Sequence, residues 1–406
     1  MIRRWKGRVL SFCMAGALAF ILSASFSGAA EAAEDPSEEE SAQTETDGAG
    51  GDPVLIRLWT YPVGGFGDKE KLSLLIDDFK EAYPQIRVSV RILDYQNGDA
   101  VIENALEDGS QPDLVFEGPE RLVADWGARG LMVPLDDLWS SEDRNQIYEK
   151  VSAACSLQGG PFYEVPVCMS AHTMAVNRDV FRQAGALSYL DEQEHTWKTD
   201  GFVSAVSAVY EDLQSRGAED PVVGTIYCGG QGGDQGTRAL VNNLYSGYFT
   251  NFQHTAYTLE SRENTEALTL LTQMKGIQFN EDMAGSDAIE QFCSGEVPMT
   301  FCWNVGDHLS HQDTGFTILP MMYPSEDGLP ELCAGIWGFG IFESGDQRRT
   351  DAAKTLIRFL TEDSDEYRRS VLISGYFPVR DSMGPYDMTD LYENNDLMSV
   401  YAGFTQ

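Results

Sequence analysis

From Pro53 onward the sequence alternates strand and helix signals, and this alternation restricts the available folds more than any other feature. The run VLIRLWT at 54–60 is short and β-rich. After Gly64-Gly65-Phe66-Gly67, the residues Leu72, Leu75, Ile76, Phe79 and Tyr83 recur at the spacing of one apolar helix face, and Pro84 stops the pattern. Ile86, Val88, Val90 and Ile92 alternate with polar residues, the period of a strand buried on one side. Residues 99–107 read as a helix, 113–117 as a third strand and 121–129 as a further helix. Such a β-α-β-α-β run predicts a parallel or mixed sheet with right-handed crossovers. Ligands of open sheets lie beyond the carboxyl ends of the strands, which here means Trp59-Thr60-Tyr61 and Glu117-Gly118.

A second stretch of the same kind follows. Gly159-Gly160-Pro161 is a hairpin signal, 170–176 a strand, and Asn177 caps a short helix that ends at Gly185. Helices are expected near 202–216, 237–245, 264–275 and 287–293, with strands at 222–228 and 297–303. Beyond a loop-rich segment, AGIWGFGIF at 334–342 has the pattern of a fully buried strand, and helices at 350–360 and 363–372 follow. No repeat of solenoid period is visible. Two α/β lobes account for the pattern.

The N-terminus speaks to location. Arg3, Arg4, Lys6 and Arg8 precede an apolar stretch over 9–26, and Ala30-Glu31-Ala32 is an A-x-A cleavage signal, so 1–32 reads as a secretory signal peptide. The apolar stretch is also long enough to span a membrane if it is retained. Cys13 sits at the wrong end of it to accept a lipid, which leaves the mode of attachment open. Residues 33–53 contain no large apolar side chain and read as an acidic, solvated linker. The exported chain is more acidic than the whole, because the signal holds four basic residues and one acidic one: the formal charge goes from −36 to −39. That excess argues against nucleic acid and acidic membranes as partners.

Catalytic and cofactor signatures are missing. There is no G-x-x-x-x-G-K-[ST] and no G-x-S-x-G. The glycine loop at 229–236 follows a strand and precedes a helix but lacks the G-x-G-x-x-G register; its backbone N–H groups and Asp234 could still meet a ligand. His308 and His311, with Asp307 or Asp313 nearby, read as a surface pair and not as a metal site. No cofactor and no metal is expected. Excluding Cys13, six cysteines remain, mostly in apolar surroundings, and are expected to be buried thiols with at most one disulfide. Trp59, Tyr61, Trp303 and Trp337 stand at or beside strand ends next to Gly or Asn, where aromatics can stack on sugar rings while polar neighbours bind hydroxyls.

An ordered series of segments carries a resemblance. VLIRLWTY, LIDDFKEAYPQIRVSV, QPDLVFEGPERLVADWGARGLMVPLDDL, FYEVPVCMSAHTMAVNRDVFRQAGA, TWKTDGFVSAV, AIEQFCSGEVPMTFCWNVGDHL, AGIWGFGIFESG and AAKTLIRFLTEDSDEYRRSVLISGYFPVRDSM together cover 54–383. In this order they resemble the family-1 extracellular solute-binding proteins of ABC importers, the group that includes maltodextrin-binding proteins.

The resemblance implies a two-lobed receptor of the type II periplasmic-binding-protein-like fold, with hinge crossovers between lobes. Lobe 1 would comprise 54–169 and 338–375, and lobe 2 would comprise 170–337 and 376–406. Family members continue with further helices after the P-V-R segment, so a lobe 2 or a chain shortened at its C-terminus is expected. Glu120 and Arg121 match the positions that reach sugar hydroxyls, Trp303 the aromatic that stacks on the ligand, and Trp337 the crossover back to lobe 1. Ser170 replaces an acidic ligand contact of the maltodextrin binders, which puts maltose in doubt. With Glu120, Asp234 and Asn304 as hydrogen-bonding groups and Trp59, Tyr61, Trp303 and Trp337 as stacking surfaces, the expected function is sugar capture and delivery to an ABC permease by an exported monomer. A peptide or polyamine receptor and a secreted carbohydrate-active enzyme are the alternatives.

Overall fold

The structure, a computed structural model, describes residues 52–140, 145–157, 159–229, 235–251, 256–331, 333–362, 364–380 and 395–405. The expected signal and nearly all of the linker lie outside these residues. Within them no helix is long and apolar enough to cross a membrane. The strands are β1 (Val54–Thr60), β2 (Ile86–Ile92), β3 (Leu114–Glu117), β4 (Val165–Asn177), β5 (Gly224–Gly229), β6 (Ile277–Ala284), β7 (Met299–Trp303), β8 (Ile318–Met321), β9 (Cys333–Ile341) and β10 (Phe377–Pro378).

The first three strands run parallel. β1 pairs parallel with β2 on one side and with β3 on the other. The helix Lys69–Ala82 returns the chain from β1 to β2, and its apolar face buries Leu72, Leu75 and Phe79. Asp68 starts this helix by accepting from the Glu70 and Lys71 amides, which would otherwise lack partners. The helix Gly98–Asp108 returns β2 to β3 and ends at Gly109, whose φ of 76° suits a residue without Cβ. β9 then adds antiparallel to β3, so the sheet is mixed. The helix Gln347–Thr361 packs beneath it, tied by Arg349 Nη2 donating to Asp113 at 2.7 Å.

β4 joins the two lobes. Its first half pairs with β9 and β10, from Val165↔Phe339 to His172↔Cys333, while its second half pairs with β7 and β8. Twelve of its thirteen residues are buried, as expected of a strand covered on both faces. The expected lobe boundaries at 169/170 and 337/338 therefore fall inside β4 and β9. One core gathers Phe66, Phe79, Phe116, Trp126 and Phe339. The other gathers Phe181, Trp197, Phe202, Tyr227, Leu240 and Phe301.

Several details depart from the sequence reading. The helix expected over 121–129 is a short turn, Pro119–Arg121, followed by a π-helical segment, Leu122–Gly127. β6 and β8 form where no strand is expected; β6 keeps most of its side chains out of the core, which blurs its alternation. Phe377 and Val379, expected in lobe 2, pack with the lobe 1 core, and β10 pairs with Met169 and Cys168. The cysteines are also different. All six of Cys155, Cys168, Cys228, Cys293, Cys302 and Cys333 are free, and only Cys155 and Cys168 are fully buried. Cys228 is exposed because it lies past the buried part of β5.

Candidate functional site

A cleft of about 870 Å³ opens between the lobes. Its lobe 1 wall includes Tyr95, Asp99, Glu117, Glu120 and Arg121, and its lobe 2 wall includes Arg238, Asn242, Asn304 and Asp307. His172 of β4, Trp337 of β9 and Tyr376, which precedes β10, line the region between the walls.

The lobe 1 wall is built at the carboxyl end of β3. Glu117 ends the strand, and Gly118 turns the chain where a Cβ would sit 2.7 Å from Glu120 Oε2 and 2.9 Å from the Ile336 carbonyl. Arg121 is fixed from several sides. Its Nε and Nη2 donate to Asp99 at 2.7 and 3.2 Å, and Nη1 donates to Glu117 Oε1 at 3.2 Å. Its guanidinium lies 4.9 Å from the Tyr61 ring centroid and 5.9 Å from that of Tyr95. Tyr61 donates its hydroxyl to Asp99 and stacks on Tyr95 at 5.3 Å. A planar, doubly paired guanidinium backed by rings is a rigid element of the wall.

The floor is aromatic. Trp337 and Tyr376 stack at 4.8 Å with their planes 20° apart, and the His172 ring meets Trp337 edge-on at 6.4 Å. Gly335 makes room for this arrangement: a Cβ there would lie 2.4 Å from the Trp337 ring. Trp337 is only 9% exposed, so Tyr376, which is half-buried, offers the more accessible ring.

Burial dominates the titratable groups. It pushes Glu117 up to about 8, against the pull of Arg121, and Glu120 adds to the rise. Asp307 rises to about 7 through burial, opposed by a backbone hydrogen bond from Asn304 and by His311. Burial, and then the Arg238 charge, takes His172 down to about 4, so its ring is neutral. Glu117 Oε2, Asp307 Oδ2, Asn242 Oδ1 and His172 Nε2 are buried and have no hydrogen-bond partner.

Of the residues singled out from sequence, Glu120, Arg121, Asn304 and Trp337 line this cleft. Trp59, Tyr61, Ser170 and Trp303 do not. Trp59 packs under the Arg91 guanidinium at 4.7 Å on the neighbouring strand. Tyr61 is fully buried behind Arg121. Ser170 is buried in the hinge opposite Gly335. Trp303 is fully buried, and its Nε1 donates to the Tyr401 hydroxyl at 2.7 Å. Asp234 lies outside the described residues. Asn304 also caps the helix Val305–Ser310 by accepting from the Gly306 and Asp307 amides. His308 and His311 use Nδ1 on the Tyr401 hydroxyl and the Asp307 carbonyl, at 3.0 and 2.8 Å. The strand-end rule points to Glu117, and Asp307 stands out in the sequence only as a neighbour of His308 and His311; Tyr95, Arg238, Asn242 and Tyr376 carry no sequence signal of their own, because only the fold brings them to the cleft.

The described residues form a mixed α/β structure whose two lobes are joined through β4 around a lined cleft. The chain belongs to the bacterial extracellular solute-binding protein family, whose model matches residues 66–366. Similar folds are found in the substrate-binding protein Lmo0181 from Listeria monocytogenes in complex with cycloalternan (18% identity, 87% of each chain, TM-score 0.67). They are also found in the maltodextrin-binding domain MalE from Bdellovibrio bacteriovorus bound to maltotriose (16%, 86% of this chain and 87% of that one, 0.63). A third is UgpB from Mycobacterium tuberculosis in complex with glycerophosphocholine (18%, 87% of this chain and 86% of that one, 0.64). A search of curated proteins gives no match.

Proposed function

We propose that this solute-binding protein captures a sugar or oligosaccharide between its lobes outside the cytoplasm and delivers it to the permease of an ABC importer. The observation that carries this reading is the floor of the cleft, where the Trp337–Tyr376 stack adjoins a wall holding Glu120 and Arg121 and faces another holding Asn304. Aromatic faces beside a few directed polar groups match the two sides of a sugar, its apolar C–H face and its hydroxyl rim. Similar folds are described with bound maltotriose and cycloalternan, which supports the saccharide class, and one with glycerophosphocholine, which shows that the fold also serves other solutes.

Groups from both lobes must contact one ligand for it to favour closure, since a ligand shifts an equilibrium only by its difference in affinity for the two states. A thermal-shift screen of sugars, peptides and polyamines, followed by calorimetry on the hits, tests the reading. Sugars should raise the melting midpoint, and Trp337→Ala should weaken the best of them at least about tenfold, a loss near 1.4 kcal/mol. Stabilisation by peptides with none by sugars would remove the saccharide assignment.

A further inference from the structure

The cleft is more acidic than a neutral solute requires. Among its described lining residues, Asp99, Glu117, Glu120, Asp125, Asp307 and Glu331 are acidic, against Arg121 and Arg238. Arg121 is already engaged by Asp99 and Glu117. A second and independent observation concerns hydrogen bonds. Glu117 is 1% exposed and lines the cleft, yet its Oε2 has no partner. Asp307 Oδ2 and Asn242 Oδ1, on the other wall, are buried acceptors without partners too. The unmet demand is therefore for donors, and mostly beside carboxylates.

Sugar hydroxyls donate, but a neutral ring would bring no positive charge to Glu117, which shares its partner Arg121 with Asp99. Glu117 faces Arg121 and Glu120 from its own segment, Asp99, Tyr61 and Tyr95 across the lobe 1 wall, and Glu164 from the residue ahead of β4. Asp307 faces His311, Cys293, Cys302, Tyr376 and Tyr401. Among the described residues that most affect Glu117, Arg121 alone brings positive charge. An ammonium would supply both the missing donors and the missing charge, and the faces of Tyr95 and Tyr376 would add cation–π attraction.

We propose that the solute is an amino sugar, a saccharide whose protonated amine meets Glu117 Oε2 while its ring lies toward the Trp337–Tyr376 pair. This rests on the saccharide reading above and narrows it. The amine would bring Glu117 Oε2 the donor that it lacks.

Calorimetry with glucosamine dimers and trimers, the same oligomers N-acetylated, maltotriose and spermidine tests the assignment, at mildly acidic pH where the sugar amine is charged. Acetylation removes the charge and keeps the ring. The glucosamine trimer should bind at least about tenfold tighter than its acetylated form, with a preference that shrinks as salt is added. Glu117→Gln, which keeps the side-chain shape, should collapse that ratio toward one. If Glu117→Gln does not fold, Glu117→Asp, which shortens the reach of the carboxylate, provides the comparison and should lower the ratio. Equal affinity for amine and acetylated forms, or a ratio that survives the substitution, would overturn the proposal. Maltotriose binding tighter than every amine would overturn it and leave the saccharide reading standing. Spermidine binding with no sugar bound, or no binding by any probe, would overturn both.

Discussion

Residue by residue, the cleft follows the two-residue period of strands. Cys302 and Asn304 line it while Trp303 between them points into the core. On β9, Cys333, Gly335 and Trp337 line it from one face, and Ala334 joins them from the other. A sequence shows that a tryptophan stands at a strand end, but a shift of one position exchanges cleft for core, and only the register decides which. For this reason Trp337 was legible as a cleft residue and Trp59 and Trp303 were misjudged by the same rule.

Glu164 shows what burial alone does to a residue. It is fully buried at the start of β4, neither carboxylate oxygen has a partner, and burial raises it well above the usual range, with Glu120 and Glu117 adding to the rise. The unfolded chain releases this proton near pH 4.3, whereas the folded protein keeps it. Stability from this group is thus complete at low pH and declines, by up to about 1.4 kcal/mol per pH unit, as pH rises from the unfolded value toward the raised folded one. Glu164→Gln should flatten the fall of the melting midpoint between about pH 5 and 8. Parallel curves for the two proteins would mean that Glu164 is ionised in the fold.

Among the elements, those with a strong period were legible and those fixed by tertiary contacts were not. The helix Lys69–Ala82 and the strand β2 follow from spacing alone. The helix Asp396–Gly403 does not, for its place depends on Tyr401. That hydroxyl accepts from Trp303 Nε1, and its own proton is left for His308 Nδ1 at 3.0 Å. Burial takes His308 down to about 4, so the ring is neutral and able to accept. Tyr401→Phe would leave a buried indole N–H without an acceptor, and should destabilise the protein by about 1–3 kcal/mol in denaturant titration. Solute affinity should not change, because Tyr401 lies outside the cleft; a large loss of affinity with no loss of stability would contradict this assignment.

For the molecule as a whole, the two-lobed α/β architecture was legible because the βα alternation and the order of segments span most of the chain. The point in β4 where the partners change, between His172 and Thr173, was not, since no local pattern marks where a buried strand leaves one sheet for another. A cleft with binding groups on both walls implies that a saturating ligand draws the lobes together. Small-angle scattering should then give a smaller radius of gyration with the solute than without it. An unchanged radius at saturation would show that binding needs no closure.

The shared strand also bears on the kinetics of that motion. Val165–Asn177 contributes to the sheets of both lobes, so the lobes are joined through hydrogen-bonded β-structure and not only through a slack tether. If the lobes close on the proposed solute, the motion would twist this strand while its ladders stay paired, and the hinge would act as a torsion spring with a resting angle. The depth of that elastic well, as much as the contacts made in the cleft, would govern how long a captured solute stays before the lobes part.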